Sequence, residues 1–446
     1  MKIILATYGS IGDVQPLLTL SLALKERGHE VLLCAQPEDA DRVKNQQCPY
    51  YPLGSNIKEF LNQLNIDGPH QKNLIALNAT TLFFRQEIRN QFKCLAAVVN
   101  QADLILWAPT AYALPSLAEY FHIPCRFLAI CPQSIPSSYH PYFHLSNHNM
   151  PRWMNKFTWW VGYQLENIIC KRVINEERIK LGMPPIREVY DYKLGSEVLV
   201  ASDPILGRIP SDYKHPCVQL GYFHASAKGE LDRDLQNYIA AGPKPVYIGF
   251  GSMITEKYAK KFKDFVRQVA QATQHRLVIA GVADAHGEIA KGFYAVGHVP
   301  HSLLFPQMSA VVHHGGAGTT ATAARAGVPQ IIVPHFFDQF YWGNQIFVQG
   351  LGPRPINRRV LTVPRLSNAI QECLANPSFQ RRATFIANGL RKQDPLDNAV
   401  AYIESIGSDT RFSYSTGSLL QHKAPENRWL VKTMNLSKRD GKPFAT

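Results

Sequence analysis

The octapeptide HHGGAGTT, residues 313–320, follows the apolar run SAVV and sets glycines beside imidazole and hydroxyl side chains. Backbone N–H groups bare of side chains, at the positive end of a helix starting near Thr319, form an anion site, and a phosphate is the natural guest. Gly316 and Gly318 would let it approach. His313, at the strand end, could donate a ring N–H to a phosphate oxygen. The same residues have two other meanings. Gly316, Gly318 and Ala321 carry the spacing of a dinucleotide fingerprint, with Asp338 20 residues past Gly318. They would equally serve a tight turn that lets helix pack on strand.

Neighbouring segments bear on the choice. Ser252 in GFGSM occupies the corresponding place after an earlier strand and offers a hydroxyl to the same crevice. The loop GHVPHSLLF (297–305), with His298 and Val299, follows another apolar run, and its backbone could pair with a flat base. Asp338 and Gln339 close the next strand. In a dinucleotide enzyme that acid would grip a ribose; in a sugar-nucleotide enzyme the Asp-Gln pair would bind sugar hydroxyls. A dinucleotide fingerprint usually opens its domain at the first strand, whereas this one lies several elements in.

The elements that must position these groups follow a βαβ grammar. KIILATY reads as strand, GSIGDVQP as loop, LLTLSLALKERG as a helix closing on Gly28, and HEVLLCA as a buried strand. ADLILWAP and PCRFLAICP, separated by a helical segment, repeat the alternation, and it restarts at Pro245 with PVYIGFGSM. The expectation is α/β architecture with an N-terminal domain over 1–221, a linker over 222–244, a second domain over 245–406 and a basic tail over 407–446. From Arg411 the tail carries seven Lys or Arg against Glu426 and Asp440, so it reads as a solvated segment.

At 446 residues, 46% hydrophobic and 18% charged, the chain is globular and long enough for two cores. The segment after Lys2 is too brief for a signal peptide, and no apolar run reaches the ~18 residues of a membrane span. Eight scattered cysteines without a CxxC read as reduced thiols of a cytoplasmic protein. The net charge of +13 favours anionic partners. It is spread out and accompanied by no RNA-binding motif, so nucleic acid is not expected.

GSIGDVQP together with HHGGAGTTATAARAGVPQIIVPHFFDQ resembles the inverting glycosyltransferases of the UDP-glycosyltransferase superfamily, nearest the branch of sterol and antibiotic glucosyltransferases. The likeness covers residues 1–406. It implies the GT-B architecture, two Rossmann-like domains facing across a cleft, with the last helix crossing back to the first domain. Carried over by position, His313, Gly315, Gly316, Ala317, Gly318 and Thr319 would hold a diphosphate with help from Ser252, His298 and Val299 would meet the base, and Asp338 and Gln339 the sugar. His298 stands where plant members carry a tryptophan, which leaves UDP-sugar against TDP-sugar open. No metal and no resident cofactor are implied.

Inverting transfer needs a base across the cleft from the diphosphate. The resemblance puts Asp13 there, with Ser10 and Gly12 beside the acceptor; an N-cap is the ordinary alternative for such an Asp. Arginine is frequent in the family where this chain has Ile11. His140, His144 and His148 have the spacing of helical metal ligands, but Pro141 argues for a loop, where an acceptor would pass. The aromatic tracts SSYHPYF and PRWMNKFTWWVGY suit a sterol, terpenoid, polyketide or lipid acceptor, or ordinary packing. Lys156, Lys171 and Arg172 leave peripheral contact with an anionic membrane open. The reading is transfer of a hexose, glucose by expectation, to a hydrophobic acceptor; an NAD-linked oxidoreductase and a non-catalytic binder of lipid or nucleotide sugar are the alternatives.

Overall fold

The computed structural model of the chain describes residues 1–9, 11–55, 74–142, 145, 148, 150–225, 229–251, 256–282 and 286–408. Ser10, His144, Ser252 and the tail from residue 409 lie outside the described residues.

The apolar runs become strands of two separate sheets. The first joins β1 (Lys2–Ala6), β2 (Glu30–Ala35), β3 (Tyr50–Pro52), β4 (Leu104–Trp107), β5 (Cys125–Ala129), β6 (Val198–Val200) and β7 (Cys217–Gln219) in the order β3-β2-β1-β4-β5-β6-β7. All its pairs are parallel. The second contains β8 (Val246–Gly249), β9 (Leu277–Ala280), β10 (Gly287–Ala290), β11 (Phe293–Val296), β12 (Ala310–His313) and β13 (Gln330–Ile332), in the order β10-β11-β9-β8-β12-β13. Only the β10–β11 pair is antiparallel. Both sheets are covered by helices, which is why β1, β4, β8 and β12 are apolar almost throughout. Strand order reverses between β1 and β4 in one sheet and between β8 and β12 in the other. At such switch points ligands bind beyond the carboxyl ends of the strands.

The first helix begins earlier than the sequence pattern implies. It spans Ile11–Glu26 and takes in most of the segment read as loop, with Pro16 inside it. Proline is tolerated there because the carbonyl it leaves without an N–H belongs to Gly12, which is exposed to water. Beyond Pro16 the inward residues Leu17, Leu20 and Leu24 are completely buried. The stretch read as linker also holds structure: a helix over Arg233–Ala240, capped by Asp232, which accepts from the N–H groups of Asp234 and Leu235. Its Leu235 and Tyr238 are buried with Val278 and Val311 of the second sheet, so this part packs with the C-terminal half.

The final helix, Pro395–Ser408, packs on the first helix. Ala399, Val400 and Ile403 bury against the cluster of Leu20 and Leu24, while Arg27 reaches Asp397 at 3.0 Å and Glu404 at 3.2 Å. That cluster is continuous from Val14 to Ala321 and Trp342, so one apolar body ties the two sheets together. The buried contact outweighs the exposed ion pairs. Ile403→Ala is expected to destabilise the protein by ~2–5 kcal/mol in chemical denaturation, whereas Arg27→Ala leaves the midpoint nearly unchanged.

Candidate active site

The cradle begins where β12 ends. His313 is fully buried; its Nδ1 accepts the Gly315 N–H at 3.1 Å and its Nε2 lies 2.9 Å from Gln330 Oε1. A backbone N–H can only donate, so Nδ1 is the acceptor and Nε2 carries the proton to Gln330. Gln330 in turn donates to the Thr320 carbonyl at 3.2 Å. Burial pushes the His313 ring down to about 3, so it stays neutral. The ring N–H expected to reach a phosphate is therefore engaged inside the fold: His313 shapes the cradle by tying its glycine turn to the neighbouring strand.

Gly315 adopts φ +89°, and a Cβ there would lie 2.7 Å from Ile332 and 3.0 Å from the Gln339 carbonyl oxygen. Both facts demand glycine. Gly316 caps the helix Ala317–Ala326, whose first internal bond runs from Thr320 N–H to the Gly316 carbonyl. The N–H groups of Ala317, Gly318 and Thr319 precede it and find no acceptor within the helix. Thr319 is half-buried at this opening.

His314, which sequence reasoning passed over, is a partly exposed imidazole against the cradle. Its Nε2 crowds the Cα of Gly316, a Cβ there falling at 2.5 Å, and its Cε1 lies 3.5 Å from where a Cβ would stand on Gly251, past the end of β8. Its Nδ1 has no partner among the described residues, and burial holds the ring near 4, hence neutral. The doublet HH was the available signal, but a pattern of types does not say which ring faces out. His298 is exposed in the loop after β11 and Val299 is half-buried beside it.

The second missed residue is Tyr222, in the segment joining the two sheets. It is buried, and its hydroxyl would lie 2.6 Å from a Cβ at Gly318. Gly318 is thus glycine because a tyrosine crosses it. Burial and the charges of Asp203, Asp13 and Asp338 raise the Tyr222 hydroxyl well above its ordinary range, so it remains a neutral donor.

Asp338 precedes the helix Gln339–Val348 and accepts from Trp342 Nε1 at 3.1 Å. Burial, then the nearby charge of Asp13, push its carboxyl up to about 7. Gln339 turns its Oε1 to the N–H groups of His335 at 2.8 Å and Phe336 at 3.2 Å, fixing the turn that presents Asp338. The Asp13 charge acts on this group from the first helix of the N-terminal half. It sits in the first turn of its helix, third from the start, and so is not its N-cap. An acid there is favoured by the helix dipole. A side chain on Gly9, three residues past the end of β1, would run into the Asp13 carboxylate. Gly12 is exposed beside it.

His140 and His148 stand in a loop, edge-on to Tyr341 at 5.8 and 6.2 Å, and burial lowers both to about 4. No group of three metal-ligating side chains gathers among the described residues.

Two family models match the chain: "Glycosyltransferase family 28 N-terminal domain" over residues 3–130, and "Erythromycin biosynthesis protein CIII-like, C-terminal domain" over 267–403. Vancomycin aglycone glucosyltransferase of Amycolatopsis orientalis is 31% identical over 88% of this chain and 94% of its own. Glycosyltransferase GtfC of the same organism is 30% identical over 88% and 94%. A sterol 3-beta-glucosyltransferase of Arabidopsis thaliana is 30% identical over 90% of this chain and 67% of its own. Among solved structures, the glycosyltransferase of kitacinnamycin superposes with TM-score 0.70 at 20% identity, covering 91% of this chain and 98% of its own. The calicheamicin glycosyltransferase CalG4 gives 0.68 at 18%, covering 92% and 99%.

Two expectations follow from this geometry. Gly318→Ala should weaken UDP binding measured by calorimetry, and adding Tyr222→Phe should restore it, because the next atom is then the ring carbon at 3.5 Å. Asp338 ionises near 4 when unfolded and near 7 when folded, so the fold resists its charge and stability falls as pH rises between those values. Asp338→Asn should therefore raise the melting temperature above pH 7, with the gain vanishing near pH 4 in a series of thermal melts.

Proposed function

We propose a reaction on the premise that this chain belongs to the UDP-glycosyltransferase superfamily, as a nucleotide-sugar-dependent glycosyltransferase of the GT-B type. The reaction is transfer of a hexose, glucose in our reading, from a UDP-sugar to a hydroxyl of a hydrophobic acceptor, with inversion at the anomeric carbon. The observation that carries it is that Asp13, on the first helix of the N-terminal half, and Asp338, beside the cradle in the C-terminal half, lie close enough for the charge of one to act on the other.

In this reading the acceptor hydroxyl attacks the anomeric carbon while its proton passes to the Asp13 carboxylate. The bond from that carbon to the diphosphate breaks, and its electron pair leaves on the phosphate oxygen. The N–H groups of Ala317, Gly318 and Thr319, with the His314 imidazole, lie where that charge grows, and fixed dipoles there stabilise it without reorganisation. Asp338, with its carboxyl near 7, can accept from or donate to a sugar hydroxyl, and Gln339 holds it in place. No metal or resident cofactor enters. The loop of His298 and Val299 would meet the base, uracil in our reading and thymine as the variant to test.

The hydrophobic acceptor is supported by relatives named for a vancomycin aglycone and for sterols, and by the aromatic loop that carries Tyr139 and Tyr142. Eight free cysteines support a reducing, cytoplasmic setting. A dinucleotide enzyme has less in its favour: the glycine turn follows β12, in the middle of its domain, and Asp338 meets the charge of Asp13.

Incubation with UDP- and TDP-sugars and a lipid extract, read by mass spectrometry, should yield a product one hexose heavier from UDP-glucose. Asp13→Asn should bind UDP as the wild type does while turnover falls by about two to four orders of magnitude. Unchanged turnover would remove Asp13 as the base.

A further inference from the structure

The helix Arg152–Glu166 buries a mixed face, which includes Asn155 and Glu166, and exposes large aromatic side chains on the other. Inward it buries Trp159, Thr158 and Gly162. Outward, at helical spacing, it presents Trp153, Phe157 and Trp160, exposed by 67%, 56% and 59%, and the row continues in Ile168. Phe157 and Trp160 stack on each other at 5.8 Å. Leu82 enlarges the surface: it is exposed one turn from Arg85, whose Nη2 donates to the Ile168 carbonyl at 2.7 Å. A contiguous exposed apolar patch marks a contact surface.

Charge identifies the partner. Between residues 150 and 173 the basic side chains are Arg152, Lys156, Lys171 and Arg172, and the one acid is Glu166. Glu166 is buried and paired with Lys193 at 2.8 Å, while Arg172 shares Glu176 with Arg89. Trp and Phe ringed by Lys and Arg is the composition of a helix lying in the headgroup region of a bilayer. No helix among the described residues is long and apolar enough to cross a membrane, so the contact is peripheral. The patch also adjoins the site. The Arg152 guanidinium stacks 4.3 Å above Tyr139, whose loop continues to His140 and His148 on Tyr341, two residues past Gln339.

We propose that this face docks on an anionic lipid surface, inserting Trp153, Phe157 and Trp160 among the headgroups while Arg152, Lys156 and Lys171 meet lipid phosphates. It deepens the reading of a hydrophobic acceptor: the acceptor enters along the Tyr139 loop from the membrane side. The docking itself does not depend on transfer.

Co-sedimentation of the full chain with phosphatidylcholine vesicles, with and without phosphatidylglycerol, tests it. Wild type should bind only the anionic vesicles, with a blue shift of tryptophan emission, and high salt should release it. Trp153→Ala/Phe157→Ala/Trp160→Ala should lower the partition coefficient roughly tenfold or more. That variant should keep wild-type turnover on a water-soluble acceptor, which shows that it folds. Asp13→Asn should bind vesicles like wild type, so docking can stand if the transfer reading fails. Three results would overturn the proposal: no vesicle binding by wild type; equal binding by the triple variant, which assigns it to another segment such as the basic tail; or a dimer that the triple variant dissolves, which assigns the face to a second copy.

Discussion

Asp13 and Asp338, carried by the two halves of the chain, lie near enough for the charge of one to act on the other, and like charges in a partly buried site must be compensated or neutralised. The fold does both. Asp13 stands in the first turn of its helix, where the positive helix end favours its charge. Asp338 meets the rest of the constraint by holding its proton toward neutral pH. In the proposed reaction a ligand would bring hydroxyls to Asp338, a diphosphate to the N–H groups and a nucleophile to Asp13.

Holding that arrangement needs rigidity between the sheets. The apolar cluster from Val14 through Ala321 to Trp342, closed by the final helix, supplies it. Tyr222 lies at the centre, its ring in the same cluster and its hydroxyl against Gly318. Glycines of the cradle thus answer to different neighbours: Gly315 to Ile332 and its own backbone, Gly316 to His314, Gly318 to Tyr222. Only part of that pattern concerns a ligand; the rest lets three protein segments approach one another.

The alternation of apolar runs was enough to read two parallel-stranded units and the place of the glycine loop, because strands buried on both faces leave a continuous signal. Side-chain direction left none. His313 and His314 are adjacent and identical in type, yet the first turns inward to Gln330 and the second lies over the cradle. The first helix was read too short because Ile11 and Gly12 are exposed and break the apolar pattern before Pro16. In the joining segment, polar composition hid a helix whose two buried residues, Leu235 and Tyr238, are too few to show a period. Tyr222 and Asp338 meet Asp13 only through tertiary approach, which no local pattern records.

In the proposed single displacement the nucleophile and its base stand on the face of the sugar opposite the diphosphate, so stereochemistry is the most direct test. An α-linked UDP-glucose donor should give a β-glycoside, read from the anomeric proton coupling of the product by NMR. An α-glycoside would mean retention and would contradict a single displacement assisted by Asp13.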